Sequence, residues 1–217
     1  MSSRDPAAAP PLHVIDLSDD PDDEDPRLQP VHMCVGQYAM TPAYLESCLR
    51  PGQWLHDDVI SAMVYLLCGR ERSAFVDSQS LAFWLSKRAR GDAPPGIVAP
   101  RLPRFLIVND SGVHWYVIHV EEWTQTLTAY GAWTVSAELR AHLRDWLGPL
   151  WRTIALVSTP ETGDPARDAA LRSSECGVAV CRAVADLIQG QTPRAPLDND
   201  RQWILRTIRL GARTRPG

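Results

Sequence analysis

Cys176 stands where a nucleophile is easily made. Ser173–Ser174–Glu175–Cys176–Gly177 leads into an apolar set, Val180, Val184, Leu187 and Ile188, at helical spacing. Serines cap helix N-termini, so the pattern predicts Cys176 at or beside a first helical turn. There the unpaired N–H groups and the positive end of the helix dipole favour thiolate over thiol. Gly177 leaves room for a backbone or a substrate beside the sulfur. The same residues also suit a small side chain buried at a helix start. A cysteine nucleophile needs a base, and His114 is the best placed. It follows a turn over Asn109–Asp110–Ser111–Gly112, begins a strand, and precedes Trp115. It also suits a half-exposed surface position. His119, five residues on, falls on the other face of the same strand. Cys176 and Cys181 lie about 140° apart around a helix. With no C-x-x-C pair in the chain, neither a metal nor another cofactor is expected.

The elements that must position these groups follow from local signals. Thr41–Pro42–Ala43 pairs a cap with proline at the first helical position and predicts a short helix to Leu49, stopped by Arg50–Pro51–Gly52. Gln53–Trp54–Leu55–His56 then leads to Asp57 and Asp58, which suit a helix start. The helix behind them is buried over much of its surface, through Val59, Ile60, Met63, Val64, Leu66 and Leu67. Trp54, just outside it, either staples the helix to the core or lines a groove. A helix is predicted over 78–87 and a loop over 91–103. Strands are predicted over 104–108, 113–120, 124–130 and 151–157. Further helices are predicted over 135–147 and 197–210. A hairpin reversing at Glu121–Trp123 puts the residue opposite His114 near 130–132, where Gly131 stands and no acid does. Helices first, a small mixed or antiparallel sheet in the middle and helices last make an α+β chain.

Composition bounds the rest. A chain of 217 residues with 45% hydrophobic content supports one folded domain, expected over 31–217. The net charge of −4 argues against nucleic acid or an anionic membrane as main partner. No apolar run is long enough to span a bilayer. Five scattered cysteines indicate a reducing compartment, cytoplasmic and/or nuclear. Residues 1–30 are rich in Pro, Ala and Asp and read as a disordered acidic segment. Within it, Val14–Ile15–Asp16–Leu17 followed by Ser18–Asp19–Asp20 resembles a SUMO-interacting motif: aliphatic residues that add a strand to a partner's sheet edge, flanked by acids. A solvated acidic segment with a chance aliphatic patch is the alternative.

Taken together, Trp54–Leu55–His56–Asp57 before a buried helix, His114–Trp115 on a strand and Glu175–Cys176–Gly177 at a helix start resemble the SUMO-specific cysteine proteases of the ubiquitin-like-protein protease family. The resemblance spans about residues 41–210. It implies a papain-like catalytic domain that cleaves after the C-terminal Gly-Gly of SUMO or a related modifier, with SUMO and its conjugates as partners of a monomeric chain. It further implies Cys176 as nucleophile, His114 as base, Asp57 among the substrate contacts, and Trp54 and Trp115 as roof and floor of a tunnel passable only to glycines. His56 stands where the family usually has Asn. The family's orienting acid, about seventeen residues after the histidine, falls on Gly131, with Asp110 as a substitute from the turn. The family's oxyanion glutamine has no counterpart, since 126–188 contains no Gln. Three outcomes stay open: a Cys–His dyad enzyme, a relative that binds SUMO without cleaving it, or a relative turned to acyl transfer or another substrate.

Overall fold

The computed structural model describes residues 32–90, 102–110, 112–132, 134–147, 154–157, 169 and 174–215. The acidic segment, including Val14–Leu17, lies outside the described residues, as do Ser173 and most of the predicted loop over 91–103.

Two sheets organise the chain. The larger is five-stranded, in the order β3 (Phe75–Val76), β4 (Phe105–Asp110), β5 (His114–Glu121), β6 (Thr126–Tyr130) and β7 (Ile154–Val157). Its centre is antiparallel, with Phe105 opposite His119 and Val117 opposite Tyr130, while both outer pairs are parallel. The predicted mixed sheet with flanking helices is therefore observed, and the fold is α+β. The smaller sheet was not anticipated. β1 (His32–Val35) lies between β2 (Tyr38–Met40) and β8 (Arg213–Arg215), joining the two ends of the folded part. Strands of three or four residues carry too few positions for a two-residue period to register.

Helices follow their local signals closely. α1 (Pro42–Cys48) starts at Thr41, whose Oγ1 accepts a hydrogen bond from the Tyr44 N–H, with Pro42 at the first turn. α2 is Asp57–Leu67 and α3 is Ser78–Ala89. α4 (Ala137–Leu147) is preceded by Ser136, whose hydroxyl accepts from the Leu139 N–H. α5 is Cys176–Ile188 and α6 is Asp200–Gly211. β4 runs two residues further than predicted. Asn109 and Asp110 continue the strand, and the turn is closed by the Val113 N–H on the Asp110 carbonyl, with Gly112 at φ +75°.

The sheet separates two apolar layers. Phe105, Ile107, Trp115 and Val117 face α2, α5, α6 and the small sheet, whereas Leu106, Val108, Tyr116, Ile118 and Val120 face Leu81 and Trp84 of α3 and Leu139 and Leu143 of α4. Burial of every residue from Val59 to Val64 marks α2 as the centre of the first layer, with α5 packed against both α2 and β5.

Gly177 decides how closely α5 approaches α2. A Cβ there would stand 2.8 Å from the Leu55 Cβ and 3.0 Å from the Ile60 Cδ1. The space expected for a substrate is thus taken by the protein's own core. Gly177→Ala should destabilise the fold by about 1–3 kcal/mol through overpacking, measured by denaturant titration. A change within a few tenths of a kcal/mol would mean that the two helices are free to separate.

Candidate active site

Cys176 opens α5 and is 2% exposed. Its cap differs from the expected serine. Glu175 is the N-cap and makes no side-chain cap hydrogen bond; its carboxylate is held by Arg201 instead, at 2.6 Å from Nη2 and 2.9 Å from Nε. Backbone N–H groups of Trp115, Gly177 and Cys176 itself pull the thiol pKa down. Burial nonetheless dominates and pushes the thiol above its ordinary range, with the Glu175 charge adding to the rise and the three N–H groups opposing it. The helix mouth alone therefore does not yield the thiolate expected from sequence, because removing the sulfur from water costs more than the N–H groups return. Alkylation of Cys176 by iodoacetamide, followed by peptide mass, should be slow at neutral pH and accelerate as pH rises past the ordinary cysteine range of about 8.5–9. A rate already flat at neutral pH would contradict this.

β6 supplies the geometry around the histidine. Its ladder with β5 stops at the Val117–Tyr130 pair, so His114, Trp115 and Tyr116 run on past its end. Beyond that end, the Trp115 backbone lowers the Cys176 thiol pKa, and the Gly131 carbonyl meets His114 Nε2 at 2.7 Å. A carbonyl only accepts, so Nε2 carries the proton. The ring is 7% exposed and stacks with Tyr116, centroids 6.4 Å apart at 27°. Gly131, expected across from His114, does reach it, but through its backbone, and with φ +83°. Asp110, expected to swing in from a loop, is instead the last residue of β4 and the direct cross-strand partner of His114. His119 sits elsewhere, stacked on Phe105 at 5.4 Å, with burial lowering its pKa.

The two tryptophans differ in exposure. Trp115 is 5% exposed and shares the α2/α5 layer with Cys176, while Trp54 is 40% exposed. The buried anchor of the segment before α2 is Leu55, which packs on Gly177. His56 is the N-cap of α2, its ring edge-on to Tyr44 at 5.6 Å. Asp57 opens α2 and accepts a hydrogen bond from the Ser78 hydroxyl at the start of α3. Burial raises its pKa, partly offset by that hydroxyl.

No motif pointed to Arg201. This buried residue of α6 donates to the Cys48 carbonyl (3.2 Å), the Gln53 carbonyl (2.7 Å) and the Ser174 carbonyl (3.0 Å), besides Glu175. It thereby ties the chain before Trp54 to the chain before Cys176. Arginines are frequent here, and nothing in the spacing of this one singles it out. Arg201→Met should cost roughly 3 kcal/mol in denaturant unfolding, by leaving a carboxylate and three carbonyls without their donor. A loss below about 1 kcal/mol would show that water replaces it.

No protein-family model matches the chain, and no curated protein matches it by sequence. Solved structures do. The SUMO protease Ulp1 with its catalytic cysteine oxidised to a sulfenic acid aligns with a TM-score of 0.60 at 13% identity, covering 81% of this chain and 86% of that one. The C-terminal Ulp1 protease domain in complex with Smt3, the yeast orthologue of SUMO, aligns with a TM-score of 0.56 at 13% identity, covering 84% and 88%. A de-sumoylating protease aligns with a TM-score of 0.55 at 13% identity, covering 83% and 91%. The chain thus has the fold of the Ulp1 SUMO protease domain.

Proposed function

We propose that this chain acts on SUMO or a related ubiquitin-like modifier as a cysteine protease, cleaving after its C-terminal Gly-Gly, with Cys176 as nucleophile and His114 as base. The observation that carries the reading is the packing of α5 on β5, which buries Cys176 in one layer with Trp115, the residue next to His114, whose backbone lowers the thiol pKa. With the proton of His114 on Nε2 and held by Gly131, Nδ1 is the nitrogen that takes the thiol proton. The sulfur then attacks the terminal glycine carbonyl carbon, and N–H groups at the mouth of α5 stabilise the charge on its oxygen. The imidazolium returns its proton to the leaving amine, and water hydrolyses the thioester to regenerate the thiol.

Trp54 and Trp115 bound the channel for the two glycines, since flat indoles on either side admit a chain without side chains and reject larger ones. Asp57 contacts the modifier at the channel rim. Val14, Ile15, Asp16 and Leu17 hold the modifier a second time, raising its effective concentration near Cys176. Such a role places the protein in the nucleus or cytoplasm; no described helix is long and apolar enough to cross a membrane. The other reading, a module that binds the modifier without cleaving it, draws its support from the burial of Cys176 and the raised pKa of its thiol.

A SUMO probe ending in a Gly-Gly electrophile separates the two. The unaltered chain should be labelled on Cys176, Cys176→Ala should lose labelling while still binding, and His114→Ala should slow it about a hundredfold or more. Binding without labelling in the unaltered chain would overturn the protease reading in favour of the module.

A further inference from the structure

The orienting carboxylate of a cysteine–histidine site does two jobs at once: it holds the imidazole in one tautomer and it balances the charge that forms on it. Here those jobs fall to separate groups. Gly131 occupies the position where the resemblance calls for an acid, and its φ of +83° is a conformation that costs other L-residues about 1–2 kcal/mol. That conformation accompanies a carbonyl 2.7 Å from Nε2 of His114. The glycine is therefore more than a lost acid, because its backbone takes over the hydrogen bond.

A carbonyl is neutral and does little to offset an imidazolium. The charge comes from the other side. Asp110 pairs directly with His114 across the β4–β5 ladder, which brings their Cβ atoms to about 4.5–5.5 Å on one face of the sheet. Tyr116, two residues on and stacked on the imidazole, registers this charge. Burial first, and then Asp110, push its phenol up to about 12, so Tyr116 stays neutral in the working range. Arg140 of α4 also reaches Tyr116 and opposes a second cation nearby; its Nε is bound to the Val135 carbonyl. Among the described residues, Asp110 is the carboxylate that the strand register sets directly beside His114.

We propose that His114 is positioned by a divided acid, in which the Gly131 carbonyl fixes the Nε2–H tautomer and the Asp110 carboxylate stabilises the imidazolium formed as Cys176 gives up its proton. The inference rests on the assignment of Cys176 and His114, but its test does not need SUMO. Nitrogen-15 NMR of the unaltered full chain should show neutral His114 protonated on Nε2. Iodoacetamide alkylation of Cys176 at neutral pH should slow about tenfold in Asp110→Asn. It should recover in Asp110→Glu and be unchanged in Glu46→Gln, a distant exposed carboxylate paired with Arg209. An Nδ1–H tautomer, or an Asp110→Asn rate within twofold of the unaltered chain, would overturn the proposal. A chain that shows the tautomer and the Asp110 dependence, yet ignores the Gly-Gly probe, retains the divided acid and loses the protease reading.

Discussion

One buried guanidinium holds the candidate site together. Arg201 makes five hydrogen bonds, three to backbone carbonyls and two to Glu175, and its partners come from the end of α1, the approach to α2 and the mouth of α5. A charge taken from water is tolerated only when its donors are matched, so those three segments are held in one arrangement or the side chain is left costly. α6, which carries Arg201, is followed by β8, and β8 pairs with β1. The small sheet at the ends of the folded part thus anchors the helix that sets the spacing between Trp54 and Cys176.

Within that frame, closeness of packing and reactivity oppose each other at α5. Gly177 lets the helix approach Leu55 and Ile60 without a Cβ between them, which draws Cys176 into the layer shared with Trp115. Burial then raises the thiol pKa, and the N–H groups at the sulfur recover only part of the loss. In the proposed reaction, a thiol kept neutral at rest needs its proton removed at the moment of attack, which would place the demand on His114.

The end of β6 is where Gly131 reaches His114. Because its ladder stops at Tyr130, the first residues of β5 keep backbone groups that no strand covers on that side, and the sulfur and the Gly131 carbonyl come in there. Strand termination, usually a matter of fold, here leaves the place where the Gly131 carbonyl reaches the His114 ring.

The chain's own order of residues was enough for the starts of α1 and α2, because Thr41, Pro42 and Asp57 act within the first turn. It was enough for the α+β class and for the location of Cys176 at a helix start, since hydrophobic periodicity is local too. The short strands β1, β2 and β8 escaped notice, being too brief to show a period. Arg201 escaped because its partners lie up to 153 residues away in the chain. The distant pairing of α5 with Leu55 turned the room beside Gly177 from substrate space into core. A missing acid at 131 was legible as a letter, but that its carbonyl would bind the imidazole depended on φ and on where β6 ends. What residues do to their near neighbours is written along the chain; what a charge or a sulfur experiences depends on groups brought to it from far away, and only the tertiary structure decides that.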